Sequence, residues 1–237
     1  MALTPQNNEA FLREVDEELR KDQAAALARR WGLVVLTLVV LGLVIFAGYL
    51  FRQHRQREAA GREGEQLQMV WDNLAADQTA KATPALAQLA QSDSEGYRAV
   101  ALFTQADLLL QKDDLKGAAA KFAAIAADES LAEPFRHLAL VRQTTAEFDT
   151  IKPEQAIERL RAVAVPGNAY FGSAGELVAL AYLKQNKRDL AGKLFGQIAQ
   201  DEQVPPSIRQ RAVQMAGVLG VDAVPADAGA KEDVNKQ

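Results

Sequence analysis

Residues 31–51 read WGLVVLTLVVLGLVIFAGYLF. The run holds no charged residue, and Thr37 is its one plainly polar side chain. As a helix it extends about 30 Å, the thickness of a bilayer's hydrocarbon core. Trp31 stands at one end and Tyr49 and Phe51 at the other, where aromatic rings suit the two lipid–water interfaces. Arg29, Arg30, Arg52 and Arg55 flank it. A soluble core helix ordinarily keeps a polar stripe, which this run lacks. A signal peptide ordinarily has a shorter apolar core followed by a small-x-small cleavage site. Here Phe46 and Tyr49 interrupt the candidates near Ala47 and Gly48. The expectation is an uncleaved transmembrane anchor over residues 31–51, with Trp31, Tyr49 and Phe51 as its interfacial residues.

Before the run, residues 1–30 form a short tail. Asn8–Arg30 reads as an amphipathic helix capped by Asn7 or Asn8, with Phe11, Leu12, Val15 and Leu19 on one face. Its acidic residues come early and its basic residues late, which complements the helix dipole. Basic residues are balanced on the two sides of the span: Arg20, Lys21, Arg29 and Arg30 before it, Arg52, Arg55, Arg57 and Arg62 after it. Orientation therefore does not follow from them.

After the run, residues 52–220 are long enough for one domain with its own core. Residues 221–237 carry few large apolar side chains and read as a disordered tail. The formal net charge of -4 gives no sign of a nucleic-acid surface. The absence of cysteine excludes disulfides, thiolate metal sites and cysteine nucleophiles. His54 and His137 are isolated from one another, and no carboxylates stand near them at metal-ligand spacing. Serines 94, 173 and 207 lie in turns without a nucleophile motif, and Gly167, Gly172 and Gly175 form no phosphate loop. No catalytic constellation, cofactor site or metal site emerges, and an enzyme is not expected.

The domain is rich in alanine, and no run alternates long enough to make a strand. Prolines mark helix boundaries: Thr83-Pro84 reads as N-cap and N1, and Pro134, Pro153, Pro166 and Pro205-Pro206 as further breaks. Alanines 85, 118, 156 and 191 are each followed four residues later by a large apolar residue: Leu89, Phe122, Leu160 and Phe195. Their separations are 33, 38 and 35, a period near that of the tetratricopeptide repeat, a pair of antiparallel helices. A plain antiparallel bundle is the alternative.

Within the units the resemblance to that repeat sharpens. Asp113-Asp114-Leu115-Lys116-Gly117-Ala118 resembles its turn into the second helix, with Ala106 and Leu109 upstream as the small and bulky residues of the first. Ala179, Tyr182, Ala191 and Phe195 occupy the corresponding packing positions in the last unit. The third unit departs, with Thr144 and Glu147, and the first departs further, with Asn73 and Ala76. The fold expected is all-α: one N-terminal transmembrane helix, then a tetratricopeptide-like right-handed superhelix of antiparallel helix pairs.

In such repeats the first helix of each unit faces a concave surface that receives protein partners. Carried onto this chain, that surface takes Leu67, Val70 and Leu74, then Val100, Phe103 and Leu110, then Leu138, Val141 and Phe148, then Leu180 and Leu183. These are apolar and suit an amphipathic helix or an extended apolar segment, unless they close on each other in a core. A carboxylate clamp would need lysine, arginine and asparagine there.

The order of features is similar to that of the YfgM-like ancillary subunits of the SecYEG translocon, in an alphaproteobacterial form. Phe11-Leu12-Arg13-Glu14-Val15-Asp16-Glu17-Glu18-Leu19-Arg20, the span, Gly96-Tyr97-Arg98 and Gly175-Glu176-Leu177-Val178-Ala179-Leu180-Ala181 carry the resemblance. It implies anchoring in the bacterial inner membrane with the N-terminus cytoplasmic and the repeat domain periplasmic. The partners it implies are translocon subunits and a membrane-anchored periplasmic chaperone of the PpiD type, besides the lipid bilayer. Neither nucleic acid nor a small-molecule substrate is expected. A scaffold for envelope assembly or cell division is the alternative function.

Overall fold

The computed structural model describes the backbone of residues 5–223, and side chains over residues 31–223 apart from 56 and 59. The predicted apolar face of residues 8–30 lies outside the described side chains, and residues 224–237 of the predicted tail lie outside the described residues. All regular structure among the described residues is helical. The chain divides into two units, residues 1–62 and 63–237.

The first unit is carried by α1 (Pro5–Ala75), which begins before Asn7 and Asn8, so neither caps it. Every residue from Trp31 to Phe51 is exposed. A window of this segment reaches a mean hydropathy of 2.8 with no part of it buried, so it is long and apolar enough to cross a membrane. Its threonine hydroxyl is satisfied locally: Thr37 Oγ1 donates to the Leu33 carbonyl at 2.8 Å.

The second unit opens with the end of α1 and continues through α2 (Thr79–Leu89), α3 (Glu95–Gln111), α4 (Leu115–Ala127), α5 (Glu133–Glu147), α6 (Pro153–Leu160), α7 (Phe171–Lys184), α8 (Arg188–Gln200) and α9 (Pro206–Val218). One local device recurs where helices end. Asp77, Asp113, Asn186 and Gly220 adopt left-handed φ of 57, 60, 59 and 81°. In each case the next amide reaches back five residues, Gln78 to Asn73, Asp114 to Leu109, Lys187 to Tyr182 and Val221 to Ala216, at 2.8–2.9 Å. These bonds satisfy helix-end carbonyls and reverse the chain. Asp and Asn tolerate the left-handed conformation better than other residues with a β-carbon.

These turns set the repeat register. Five residues after the left-handed position stand Ala82, Ala118 and Ala191, and seven before it stand Val70, Ala106 and Ala179, all fully buried. In the third hairpin Ala156 and Thr144 take the same places, also buried. The predicted register of the first hairpin is therefore one helical turn out. Its packing residues are Val70 and Ala82, with Leu86 following, rather than Asn73 and Ala85. The cause is Pro84. It lies inside α2 instead of opening it. Thr83 Oγ1 donates to the Thr79 carbonyl at 2.8 Å rather than capping. Ala80, whose carbonyl loses its donor, is exposed, so water can serve it. The other prolines behave as expected, with Pro134, Pro153 and Pro206 all in the first turns of α5, α6 and α9.

The core is a series of clusters in chain order. Leu67 and Val70 of α1 meet Leu86 and Leu89 of α2 and Ala101 of α3. Ala106, Phe122, Ile125 and Ala139 join α3, α4 and α5. Val141, Leu160, Ala174 and Val178 join α5, α6 and α7. Ala179, Phe195, Ile198 and Ala212 join α7, α8 and α9. Each helix packs on its near neighbours in sequence, the arrangement of stacked hairpins rather than of one shared bundle core. At the last stack, Gly192 leaves room for Val221: a β-carbon there would lie 2.9 Å from Val221 Cγ2. Ala223 is also buried. Residues 221 and 223, read as the start of the tail, thus pack onto the domain.

Candidate protein-binding surfaces

The first helices of successive hairpins, α1, α3, α5 and α7, present the row of residues predicted to face a partner. The structure encloses much of that row. Leu67 is 8% exposed, Val141 6% and Val70 0%. Val70 occupies the small-residue packing position, so it contributes nothing to an accessible groove. Val100 and Leu180 are half-buried against their stacks, and Leu138 is half-buried. Phe103 is half-buried with its ring centroid 5.9 Å from that of Phe122.

Charge enters the row where it was read as apolar. An ion pair between Asp107 of α3 and Arg142 of α5 ties the second and third hairpins. The Arg142 guanidinium also lies 5.1 Å over the Phe122 ring, a cation–π contact. Lys184 Nζ sits 4.2 Å above the Phe148 ring and donates to the Phe148 carbonyl at 2.8 Å, covering a residue predicted to be open. Glu176 takes the place in α7 that Leu67, Phe103 and Val141 hold in earlier hairpins. It receives a two-pronged contact from Arg211 of α9 at 2.9 and 2.8 Å. That carboxylate raises the affinity of the Arg211 guanidinium for its proton above the ordinary value.

The loops at the far ends of the helices form a second polar network. Ser92, buried, donates to Glu63 Oε1 at 2.6 Å and accepts from the Ser94 amide at 2.9 Å. Arg98 Nη1 donates to the Ser92 carbonyl at 2.8 Å, and its Nη2 to the Ser130 carbonyl at 3.1 Å. Asp128 accepts from the Ser130 amide at 2.9 Å and from its hydroxyl at 2.6 Å. The Ser130 hydrogen bonds, with a smaller contribution from Arg98, hold the Asp128 carboxyl below the ordinary carboxylate range.

Each histidine meets one carboxylate, which the sequence reading did not foresee: His54 Nε2 lies 3.2 Å from Glu58 and His137 Nε2 3.4 Å from Glu133. His137 Nδ1 is 3.1 Å from the Asn168 side-chain amide. Among the described residues, no three His, Asp or Glu come together as a metal site. Of the expected interfacial residues, Trp31, Tyr49 and Phe51 are all exposed.

The structure also opens a cleft that the sequence did not reveal. It is bounded by α6, the 161–170 loop, α7 and α8, with a volume of about 360 Å³. Its residues are scattered over some forty positions and meet only when hairpins stack. Among them, Tyr182 was expected as a repeat-packing residue, and none was expected in the partner groove.

Stacked helical hairpins, three of them turned at a left-handed Asp or Asn and the stack closed by α9, define the class. The chain matches the Tetratricopeptide repeat-like domain over residues 27–216, most of its length, and it belongs to that family. The matched stretch includes the apolar run as well as the hairpins. No curated protein and no solved structure matches the chain. Repeat domains of this kind generally serve as non-catalytic modules for protein–protein interaction.

Proposed function

We propose that this chain is a membrane-held protein-interaction module, an ancillary subunit of a SecYEG-type translocon that links it to a periplasmic chaperone of the PpiD type. The observation that carries the membrane part is the apolar segment Trp31–Phe51, exposed throughout. A soluble core helix of that hydropathy would be buried, and lipid is the environment that removes such a surface from water. The match that joins this segment to the hairpins in one family stretch supports reading them as one functional arrangement. The N-terminus is cytoplasmic and the hairpin domain periplasmic in this reading. Tethering two factors to one bilayer raises their effective concentration, so weak contacts suffice.

The test is recovery of partners from detergent-solubilised membranes, paired with a topology reporter fused after Gln237. Translocon subunits with a reporter active only outside the cytoplasm are expected. Recovery of division or peptidoglycan proteins instead favours the scaffold alternative, and a reporter active in the cytoplasm overturns the topology.

A further inference from the structure

The cleft beside α8 combines two properties that belong together in a binding site. Its floor is apolar, built from Ile157 of α6, Val178 and Tyr182 of α7 and Leu194 of α8. Val165 and Leu190 stand at its rim, 42% and 44% exposed. Its charged lining is all positive: Arg161 and Lys193 line it, with Gln197, and no carboxylate does. Lys193 makes no ion pair among the described residues. Among the described residues Arg161 meets Glu158, at 3.7 Å and with both side chains well exposed, a contact that contributes little and exchanges readily. α8 begins at Arg188, so Leu190 lies in its first turn and Lys193 in its second, with Asp189 also in the first turn.

An apolar floor open to water favours a large apolar side chain, and two exposed cations at its edge, one of them only loosely paired, favour carboxylates beside it. The volume lies at the small end of ligand pockets, which span about 300–1,000 Å³, and so suits one or two side chains rather than a whole helix. We propose that this cleft docks a short segment of a partner protein in which a leucine, isoleucine or phenylalanine is flanked by aspartate or glutamate. The apolar side chain enters over Val178 and Leu194, and the carboxylates meet Arg161 and Lys193. This assignment rests on the reading of the chain as a protein-interaction module, and it places one contact away from the first-helix row.

The experiment holds the full-length chain in lipid nanodiscs and selects binders from a displayed random-peptide library. Retained peptides are then titrated by fluorescence polarisation against the unaltered chain and against Arg161→Glu/Lys193→Glu. Both positions are exposed, and far-UV circular dichroism verifies that the double variant keeps its helices. Retained sequences are expected to pair a large apolar residue with acidic neighbours, and the charge reversal to weaken them at least tenfold. Arg161→Gln/Lys193→Gln should weaken them less. A selection that retains nothing overturns the proposal, as do basic or uncharged binders, or binders that the double variant holds within twofold. A dimer of the chain that Leu190→Asp dissolves overturns it as well, because a second copy then fills the cleft. Recovering translocon subunits with a chain whose cleft retains no peptide would remove this proposal alone. Failing to recover them while the cleft binds as described would remove the translocon reading alone.

Discussion

Arg159 Nη1 of α6 lies 2.7 Å from Glu147 Oε2 of α5, with both side chains about three-quarters buried. Equivalent first-helix positions in the neighbouring hairpins hold Leu109 and Tyr182. The third hairpin thus replaces a bulky apolar contact with a charge pair that spans the same two helices. Beside it, Thr144 sits at the small-residue position, fully buried, and its hydroxyl donates to the Leu140 carbonyl at 2.8 Å. What reads in sequence as a degenerate unit keeps the same packing by polar means.

Removing one partner strands the other charge in a half-dry site. Glu147→Ala should lower the unfolding free energy of the full chain in detergent by about 1–2 kcal/mol. Glu147→Leu/Arg159→Leu should recover most of that, because a packed apolar pair avoids desolvating charge. Chemical denaturation followed by far-UV circular dichroism measures both. Equal stability of the single variant and the parent would show that the pair carries nothing.

The corrected register of the first hairpin separates two neighbouring alanines. Ala82 is fully enclosed and Ala85 is half-buried. Ala82→Leu should cost about 1–3 kcal/mol through overpacking, and Ala85→Leu distinctly less. The same denaturation series decides, and the reverse order would restore the register that Thr83-Pro84 suggests.

The left-handed turns predict where glycine is welcome. Asp113→Gly and Asn186→Gly relieve β-carbon strain at φ of 60 and 59° and should leave stability unchanged or raise it by up to about 1 kcal/mol. Asp113→Val should lower it, since a β-branched side chain fits poorly there. Thermal melts of the three variants check the direction.

Asp128 gives a pH dependence with a definite sign. Its folded pKa lies below the ordinary 3.8, so the unfolded chain takes up the proton first. The stabilisation is then complete above about pH 5 and is lost as pH falls through the ordinary value toward the folded one. Ser130→Ala removes the main cause of the shift. The stability difference between parent and variant should therefore shrink over that acid window. A difference that stays constant from neutral pH into acid would contradict it.

The legible parts of this chain were those written in local chemistry. The apolar run states its own length, and Asp113-Asp114 announces the turn it makes: Asp114 caps α4 by accepting from the Gly117 amide at 2.8 Å. The alanine period exposed the hairpins because close helix approach needs a small residue at a fixed place. Pro84 misled because its usual position is a helix start, and α2 tolerates it inside the helix at an exposed carbonyl. The first-helix row was legible as apolar but not as enclosed. Whether Phe148 is open depends on Lys184, thirty-six residues away, and whether the row stays apolar depends on Arg142 reaching Asp107. The cleft left no signature at all, since its parts adjoin only through stacking.

In the proposed arrangement one apolar segment holds the chain in lipid while the hairpins meet other proteins. Photo-crosslinkers placed one at a time at Leu190 and Leu138 in native membranes, with partners identified by mass, probe both halves of it. Adducts to translocon subunits or a membrane-anchored periplasmic chaperone are expected, from a chain that stays in the membrane fraction after alkaline extraction. A chain released to the aqueous fraction without detergent, or one that crosslinks to no protein from either position, would contradict it.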